Sequence, residues 1–311
     1  MTATEIYSVV RPSVVHIAVS EPVGIGPGVD PPGANLVGTG ILLDSNGYIL
    51  TSNHLVEKAE TIIVTLHGGQ SFFAELIGGD VQTDTAVIRI SSNGVDLQPA
   101  ILGDSSELAV GQTVLAIGYA FALPGAPIIT NGIISATGVS TPASPQLTIV
   151  DMVLHTAPIN EGNSGGPLLN DQGEVIGINT AIIVETRGIG FAVNVNDASY
   201  VANQLMEFGE VRRGSLGITP LNVSAELIIQ LGIALPHDVR AGVFLADVVE
   251  EAPAFEAGMR RGDIIVAIDQ QPVTNSGELA RYLFKHGPGS QAQITYYRGV
   301  ERHTVELTLG E

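Results

Sequence analysis

Residues 160–168 read Asn-Glu-Gly-Asn-Ser-Gly-Gly-Pro-Leu and set one serine, Ser164, among small residues that leave its hydroxyl within reach of a substrate. Gly162 and Gly165 permit a tight backbone path, because glycine tolerates positive φ and has no Cβ to obstruct approach. On such a path the amides of Gly162 and Ser164 can point at one oxygen atom, which is the arrangement that stabilises an oxyanion. The segment therefore predicts a nucleophilic serine beside an oxyanion hole.

A serine hydroxyl is a poor nucleophile at neutral pH, so it needs a base and a group that orients the base. Two upstream segments carry candidates. His54 lies in Tyr-Ile-Leu-Thr-Ser-Asn-His-Leu-Val (48–56), and Asp84 lies in Thr-Asp-Thr-Ala-Val-Ile (83–88). The order His, Asp, Ser is that of the chymotrypsin-type fold. Asp80 is the alternative to Asp84 for the orienting role.

The three segments resemble the HtrA/Deg family of trypsin-fold serine proteases, whose usual forms are Thr-Asn-x-His-Val-Val, Thr-Asp-Leu-Ala-Val and Gly-Asn-Ser-Gly-Gly-Pro-Leu. The resemblance implies that His54, Asp84 and Ser164 form the catalytic triad, and it favours Asp84 over Asp80. It also implies an ATP-independent serine endopeptidase of protein quality control and stress response, which cleaves misfolded or regulatory proteins. Members of this family are usually homotrimers or larger, and usually extracytoplasmic, in the periplasm or cell envelope.

The resemblance also places the pocket for the residue before the scissile bond. Its expected walls are Ile159, Asn179, Thr180, Ala181, Gly190, Phe191 and Ala192. None of these side chains carries a charge, so we expect cleavage after a small apolar residue such as Val, Ala, Ile or Leu, and not after Lys or Arg.

The loop before Ser164 departs from the family pattern. Thr156 stands where members usually have aspartate, and Glu161 stands where they have proline. Because this loop must present the Gly162 amide in the right orientation, the departure predicts an enzyme that idles until the loop is ordered. The resemblance implies that residues 119–127, 138–150 and 181–190 take part in that switch.

The elements that must position these residues are mainly short strands separated by glycines and polar turns. This rhythm predicts an antiparallel double β-barrel with His54 and Asp84 in the first barrel and Ser164 in the second. Residues 21–36 are rich in Gly and Pro and predict a surface loop. A helix is expected at 196–208, with Asn196 as its cap and Gly209 just past its end. Strands are expected at 13–19, 38–43, 48–51, 61–66, 71–78, 85–90, 113–118, 128–137, 152–155, 167–169, 175–184 and 190–193.

A domain boundary is expected at 209–214, which divides the chain into a protease domain of residues 1–211 and a small α+β domain of residues 212–311. Strands are predicted at 242–249, 263–269, 291–297 and 303–309, and helices at 224–231 and 275–286, the second with Asn275 and Glu278 spaced as a capping box. Segments 213–218, 253–258 and 262–268 resemble a PDZ domain. The resemblance implies capture of C-terminal peptides, with the carboxylate at Leu216, Gly217 and Ile218. Leu279 and Leu283 either line the groove or belong to the core.

Composition excludes several classes of function. The chain of 311 residues has a net charge of −19, and residues 1–211 hold four Lys and Arg against twenty Asp and Glu, which argues against nucleic-acid binding. The absence of cysteine excludes disulfides and thiolate catalysis. The histidines other than His54 have no His or Cys partner at helical spacing, so we expect no metal and no cofactor; they are His16, His67, His155, His237, His286 and His303. His155 is expected to be a strand residue. No signal peptide or apolar span is expected in this chain.

Two other functions remain open from the sequence. The protein could be a peptide-binding chaperone or scaffold with an inactive protease domain, although the intact triad argues against this. It could also be a regulatory, site-specific protease that is activated when a peptide binds the PDZ domain.

Overall fold

The computed structural model describes residues 1–20, 35–92, 94–120, 125–144, 147–180, 188–232, 236 and 239–311. They form two compact units, Met1–Val211 and Arg212–Glu311. The first unit begins with helix α1 (Ala3–Val10), which a Thr2–Glu5 capping box closes at its N-terminus.

Six antiparallel strands close the first barrel in the order β1-β2-β3-β6-β5-β4. Alternating β-branched residues turn into its interior, where Val15, Ile17, Ile49, Val64 and Ile88 form a fully buried core. A one-turn helix, α2 (Asn53–Val56), follows β3 directly. The strands are β1 (Val14–Ser20), β2 (Asn35–Leu42), β3 (Tyr48–Ser52), β4 (Thr61–Thr65), β5 (Ser71–Asp80) and β6 (Thr85–Ile90).

The second barrel is also six-stranded, antiparallel and closed, in the order β10-β11-β12-β9-β8-β7. Its core contains Val114, Ile134, Val153, Leu168 and Ile176. After the barrel, helix α3 (Val195–Phe208) packs against β5 and β6 of the first barrel and against strands of the second. The strands are β7 (Thr113–Gly118), β8 (Ile128–Ser144), β9 (Leu147–His155), β10 (Pro167–Leu169), β11 (Val175–Thr180) and β12 (Gly190–Asn194).

The second unit is one antiparallel sheet with the order β13-β14-β15-β17-β18, to which β16 is added beside β15. Its buried core joins strand residues such as Leu245 and Ile294 to Leu279 of helix α6. The strands are β13 (Ile218–Asn222), β14 (Val243–Val248), β15 (Ile264–Ile268), β16 (Gln271–Pro272), β17 (Gln291–Arg298) and β18 (Glu301–Thr308), and the helices are α4 (Ala225–Leu231), α5 (Pro253–Glu256) and α6 (Ser276–Lys285).

The predicted fold class, a double barrel followed by a small α+β domain, is confirmed. Strands β8 and β9 are longer than predicted, and the loop expected at 21–36 lies outside the described residues up to position 34, while positions 35 and 36 belong to β2. The helix cap predicted at Asn196 is wrong, because Asn194 accepts the bond from the Asp197 amide.

The predicted capping box of α6 forms only in part. Asn275 caps the helix by accepting from the Glu278 amide, but the Glu278 carboxylate reaches the backbone amide of Thr274 instead of that of Asn275. In the part of the chain that the structure describes, no helix has the length and apolar character needed to cross a membrane.

Candidate active site

Strand pairing brings the candidate base and its orienting carboxylate together. His54 lies in α2, immediately after β3, and Asp84 immediately precedes β6, whose Thr85 pairs with Ser52 at the end of β3. The His54 Nδ1 atom lies 2.9 Å from each carboxylate oxygen of Asp84, and the His54 backbone amide donates to Asp84 Oδ1 at 2.9 Å. A carboxylate can only accept, so the ring proton resides on Nδ1 and leaves Nε2 free to act as a base.

The surroundings of Asp84 hold this carboxylate in place. Asp84 is only 2% exposed, and it adopts a positive φ of 51°, which is rare for a residue with a side chain. Thr180, at the end of β11 in the second barrel, donates its hydroxyl to Asp84 Oδ2 at 2.7 Å. Thr180 was expected as a wall of the substrate pocket, and its bond to the carboxylate was not indicated by the sequence. Asp80, the alternative orienting residue, instead accepts from the amide and hydroxyl of Thr83.

The segment that carries Ser164 lies against the first barrel. The Ser164 carbonyl accepts from the Thr39 amide of β2 at 2.8 Å. A Cβ atom added at Gly165 would stand 2.3 Å from Thr51 Oγ1 and 3.0 Å from the Ser52 amide, so only glycine fits between the serine and the end of β3. Ser52 lies two residues before His54. The serine of the second barrel and the histidine of the first are therefore placed on facing segments.

Asn179 supports the same segment from within the second barrel. Its carbonyl accepts from the Gly165 amide at 2.8 Å, and its side-chain amide donates to the carbonyls of Gly166 and Pro167 at 3.1 and 2.9 Å. Asn179 is fully buried. Although expected as a pocket wall, its side chain is committed to holding the backbone after Ser164.

Gly162, the other candidate oxyanion donor, adopts a φ of +92°. A Cβ here would stand 2.2 Å from the Tyr119 carbonyl oxygen, so the turn needs glycine for both conformation and space. Thr156 in place of the family's aspartate accepts from the Ile133 amide at 2.9 Å and ties the loop to β8. Glu161 is exposed, whereas the neighbouring Gly162 is buried in the turn.

The other expected pocket residues lie on two paired strands and the loop before the serine. Thr180 pairs with Phe191 and Asn179 with Ala192 across β11 and β12. A Cβ on Gly190 would stand 2.9 Å from Ile159 Cγ1, so these two residues are neighbours. Ala181 lies outside the described residues.

His155 is a fully buried residue at the end of β9, as expected of a strand residue, and its ring packs against Gly190. Neither ring nitrogen has a well-aligned hydrogen-bond partner among the described residues. Burial lowers the pKa of His155 to about 4, and the neighbouring Asn179 side chain and Ala157 backbone offset this effect only in part. His155 is therefore neutral in the folded protein at neutral pH.

This buried histidine predicts a loss of stability in acid. Below pH 6.5 the unfolded chain binds a proton at His155 while the folded chain does not, so the unfolding free energy falls until the pH reaches about 4. We expect His155 to account for about 2 kcal/mol of the stability lost between pH 7 and pH 5. His155→Gln should remove that part of the pH dependence in urea unfolding followed by circular dichroism. The matched variant His67→Gln should keep it, and an unchanged pH dependence in His155→Gln would contradict the assignment.

The expected carboxylate loop of the second unit is a tight turn in front of β13. Gly217 has a φ of +68°, its amide donates to the Ser215 hydroxyl, and its carbonyl accepts from the Val249 amide. Ile218 begins β13, which is the first strand in the sheet order. Leu216 and Leu279 are buried in the core, and Leu283 is half-buried against it. Leu279 therefore belongs to the core of the second unit, and Leu283 is more accessible than Leu279.

Comparison with known proteins agrees with this architecture of a trypsin-like double barrel and a PDZ-like sheet. Residues 38–178 match the family described as trypsin-like peptidase domain, and residues 214–309 match the PDZ domain family. A probable periplasmic serine endoprotease DegP-like of Pseudomonas savastanoi pv. phaseolicola is 38% identical over 296 residues, covering 91% of this chain and 60% of that one. A protein of the same name from Halomonas elongata is 38% identical over 291 residues, covering 90% and 59%.

Solved structures lead to the same family. The HtrA-type protease AlgW with decapeptide has a TM-score of 0.80 at 31% identity, covering 100% of this chain and 98% of that one. The serine endoprotease from Yersinia pestis has a TM-score of 0.73 at 29% identity, covering 100% and 98%. The chain belongs to the HtrA/Deg family of trypsin-like serine proteases. It spans about three fifths of the length of the curated relatives it matches.

Proposed function

We propose that this protein is a serine endopeptidase of protein quality control or the stress response that cleaves misfolded or regulatory proteins. The observation that carries the proposal is the His54–Asp84 contact at 2.9 Å, on a segment that faces the loop bearing Ser164. A buried carboxylate that fixes the imidazole tautomer is what a histidine needs in order to take a proton from serine.

In the proposed mechanism, Ser164 Oγ attacks the substrate carbonyl carbon while His54 Nε2 takes the hydroxyl proton. The amides of Gly162 and Ser164 hold the negative oxygen of the tetrahedral intermediate. Asp84 stabilises the imidazolium, which then gives its proton to the leaving amine as the intermediate collapses to an acyl-enzyme. A water molecule then attacks the acyl-enzyme carbonyl carbon while His54 Nε2 takes its proton. The second tetrahedral intermediate collapses, the carboxylic acid leaves, and His54 returns the proton to Ser164 Oγ.

Labelling with a fluorophosphonate probe tests the nucleophile. We expect the wild-type protein to be labelled and Ser164→Ala to give no labelling, because the probe reacts only with an activated serine. Ser71→Ala is the matched control, since Ser71 is an exposed serine whose hydroxyl bonds only to Thr65 at 2.9 Å in the described contacts. Labelling that survives in Ser164→Ala would contradict the assignment of Ser164 as the nucleophile. An unlabelled wild type that also fails to cleave casein would support the inactive scaffold instead.

We also propose cleavage after small apolar residues. The described members of the expected pocket are uncharged, and the Gly190 backbone is flanked by Ile159 and by the buried neutral ring of His155. No described pocket residue offers a carboxylate to pair with a basic side chain. A peptide library in which Lys or Arg dominates the position before the cut would overturn this specificity.

The second unit is proposed to bind C-terminal peptides. The tight turn at Gly217 leads directly into β13, and β13 lies at one end of the sheet order, where a peptide can add as a further strand. Casein cleavage measured with and without C-terminal peptides separates a general degrading enzyme from a regulatory protease. Strong activation by peptide would favour the regulatory alternative, in line with the unusual Glu161 beside the oxyanion turn.

A homotrimer or larger homo-oligomer in the periplasm or cell envelope completes the proposal. Its support is the family and the word periplasmic in the names of the relatives. Sedimentation velocity would test the assembly, and fractionation of the native cells would test the location. A monomer, or a protein confined to the cytosol, would contradict it.

A further inference from the structure

Thr39 of β2 is fully buried and connects four backbone or side-chain groups from distant parts of the first unit. Its amide donates to the Ser164 carbonyl at 2.8 Å, and its carbonyl accepts from the Thr51 hydroxyl at 2.8 Å. Its hydroxyl donates to the Gly162 carbonyl at 2.6 Å and accepts from the Tyr119 amide at 2.9 Å. One residue of the first barrel thus holds the serine loop of the second.

These bonds constrain the peptide plane that carries an oxyanion donor. The Ser164 amide belongs to the peptide between Asn163 and Ser164. Thr39 holds the carbonyl of the preceding peptide, at Gly162, and the carbonyl of the following peptide, at Ser164 itself. With both neighbouring planes fixed, the peptide between them has little rotational freedom, because each residue has only two soft dihedrals.

The same residue is tied to the strand that positions the base. Thr51, which donates to the Thr39 carbonyl, lies in β3 three residues before His54. Tyr119, whose amide donates to the Thr39 hydroxyl, directly follows β7. Thr39 therefore joins three segments: its hydroxyl binds the oxyanion turn and the end of β7, and its carbonyl binds the histidine-bearing strand.

We propose that Thr39 is a positioning residue for catalysis, whose buried hydroxyl holds the oxyanion turn while its carbonyl is bound to the His54 strand. The inference rests on the proposed peptidase function. It does not require Thr39 to touch the substrate, since the residue acts through the amides of Gly162 and Ser164.

The test compares Thr39→Val with Thr39→Ser. Valine keeps the shape but leaves the Gly162 carbonyl and the Tyr119 amide without their hydroxyl partner in a buried place, whereas serine keeps the hydroxyl. We expect Thr39→Val to lower kcat by about 10²-fold with KM within about threefold, because the lost stabilisation belongs to the transition state. Thr39→Ser should stay within about fivefold of the wild type.

Ser13→Ala is the control for a merely structural effect. Ser13 is also buried and its hydroxyl also donates to a backbone carbonyl, that of Val10, at 2.7 Å. We expect this variant to lose stability and keep kcat. Equal kcat losses in Thr39→Val and Thr39→Ser, or no loss in Thr39→Val, would overturn the inference.

Hydrogen exchange measured by mass spectrometry keeps the inference testable if the wild type proves inactive. Peptides covering residues 160–168 should exchange faster in Thr39→Val than in the wild type, and at the wild-type rate in Thr39→Ser. An inactive wild type would remove the proposed function alone, whereas unchanged exchange in Thr39→Val would remove the positioning role alone. If Thr39→Val fails to fold, Thr39→Ala takes its place in both measurements with the same expected results.

Discussion

With asparagine in place of Asp84, kcat/KM for a peptide substrate is expected to fall by about 10⁴-fold. In the wild-type protein the Asp84 carboxylate accepts from three donors: the His54 amide, the His54 Nδ1–H and the Thr180 hydroxyl. Asparagine offers one oxygen and one NH₂ group to this set, and the NH₂ group favours a bare Nδ1 with the ring proton moved to Nε2. A protonated Nε2 cannot take the proton of Ser164, so the base is lost while the shape of the site is kept.

Asp80→Asn is the matched control for this prediction. Asp80 is also a buried carboxylate, 6% exposed, but it accepts from the amide and hydroxyl of Thr83. We expect its loss to weaken the turn before Asp84 and to lower kcat/KM by no more than about tenfold. Active-site titration would give the fraction of folded enzyme for each variant. A larger loss in Asp80→Asn than in Asp84→Asn would reverse the assignment of the orienting carboxylate.

The parts of the site that could be predicted from the sequence carry local signals. Ser164 stands among glycines, and His54 and Asp84 each adjoin a strand that the β-branched pattern identifies. The double barrel could be predicted because short strands and glycine turns repeat along the first 194 residues.

The supporting contacts could not be predicted, because they join residues far apart in the chain. Thr180 is 96 residues from Asp84, and Thr39 is 123 residues from Gly162, and a threonine in a strand looks the same whether or not its hydroxyl has such a partner. The helix cap shows a smaller limit of the same kind. Asn194 and Asn196 are both suitable cap residues, and the choice falls on Asn194 because the Asn196 side chain bonds instead to Asp104.

Replacing Gly162 with alanine is expected to lower kcat by about 10²- to 10³-fold, the loss associated with one oxyanion donor. A Cβ at this position would stand 2.2 Å from the Tyr119 carbonyl oxygen, and the backbone φ of +92° already disfavours any side chain. The turn must move to relieve the contact. Because Thr39 holds the Gly162 carbonyl at 2.6 Å, the movement also disturbs the bond that anchors the turn to β2.

Gly69→Ala separates this effect from backbone strain alone. Gly69 has a φ of +85°, close to that of Gly162, but an added Cβ there would have no other atom within 4 Å. We expect Gly69→Ala to destabilise the fold by about 1–2 kcal/mol, as a left-handed alanine does, and to leave kcat unchanged. Measured kcat values and urea midpoints for both variants decide the matter. If the two variants lose activity equally, the loss in Gly162→Ala comes from backbone strain and not from a displaced oxyanion donor. If only Gly162→Ala loses activity, the close contact with the Tyr119 carbonyl is what keeps the Gly162 amide in position.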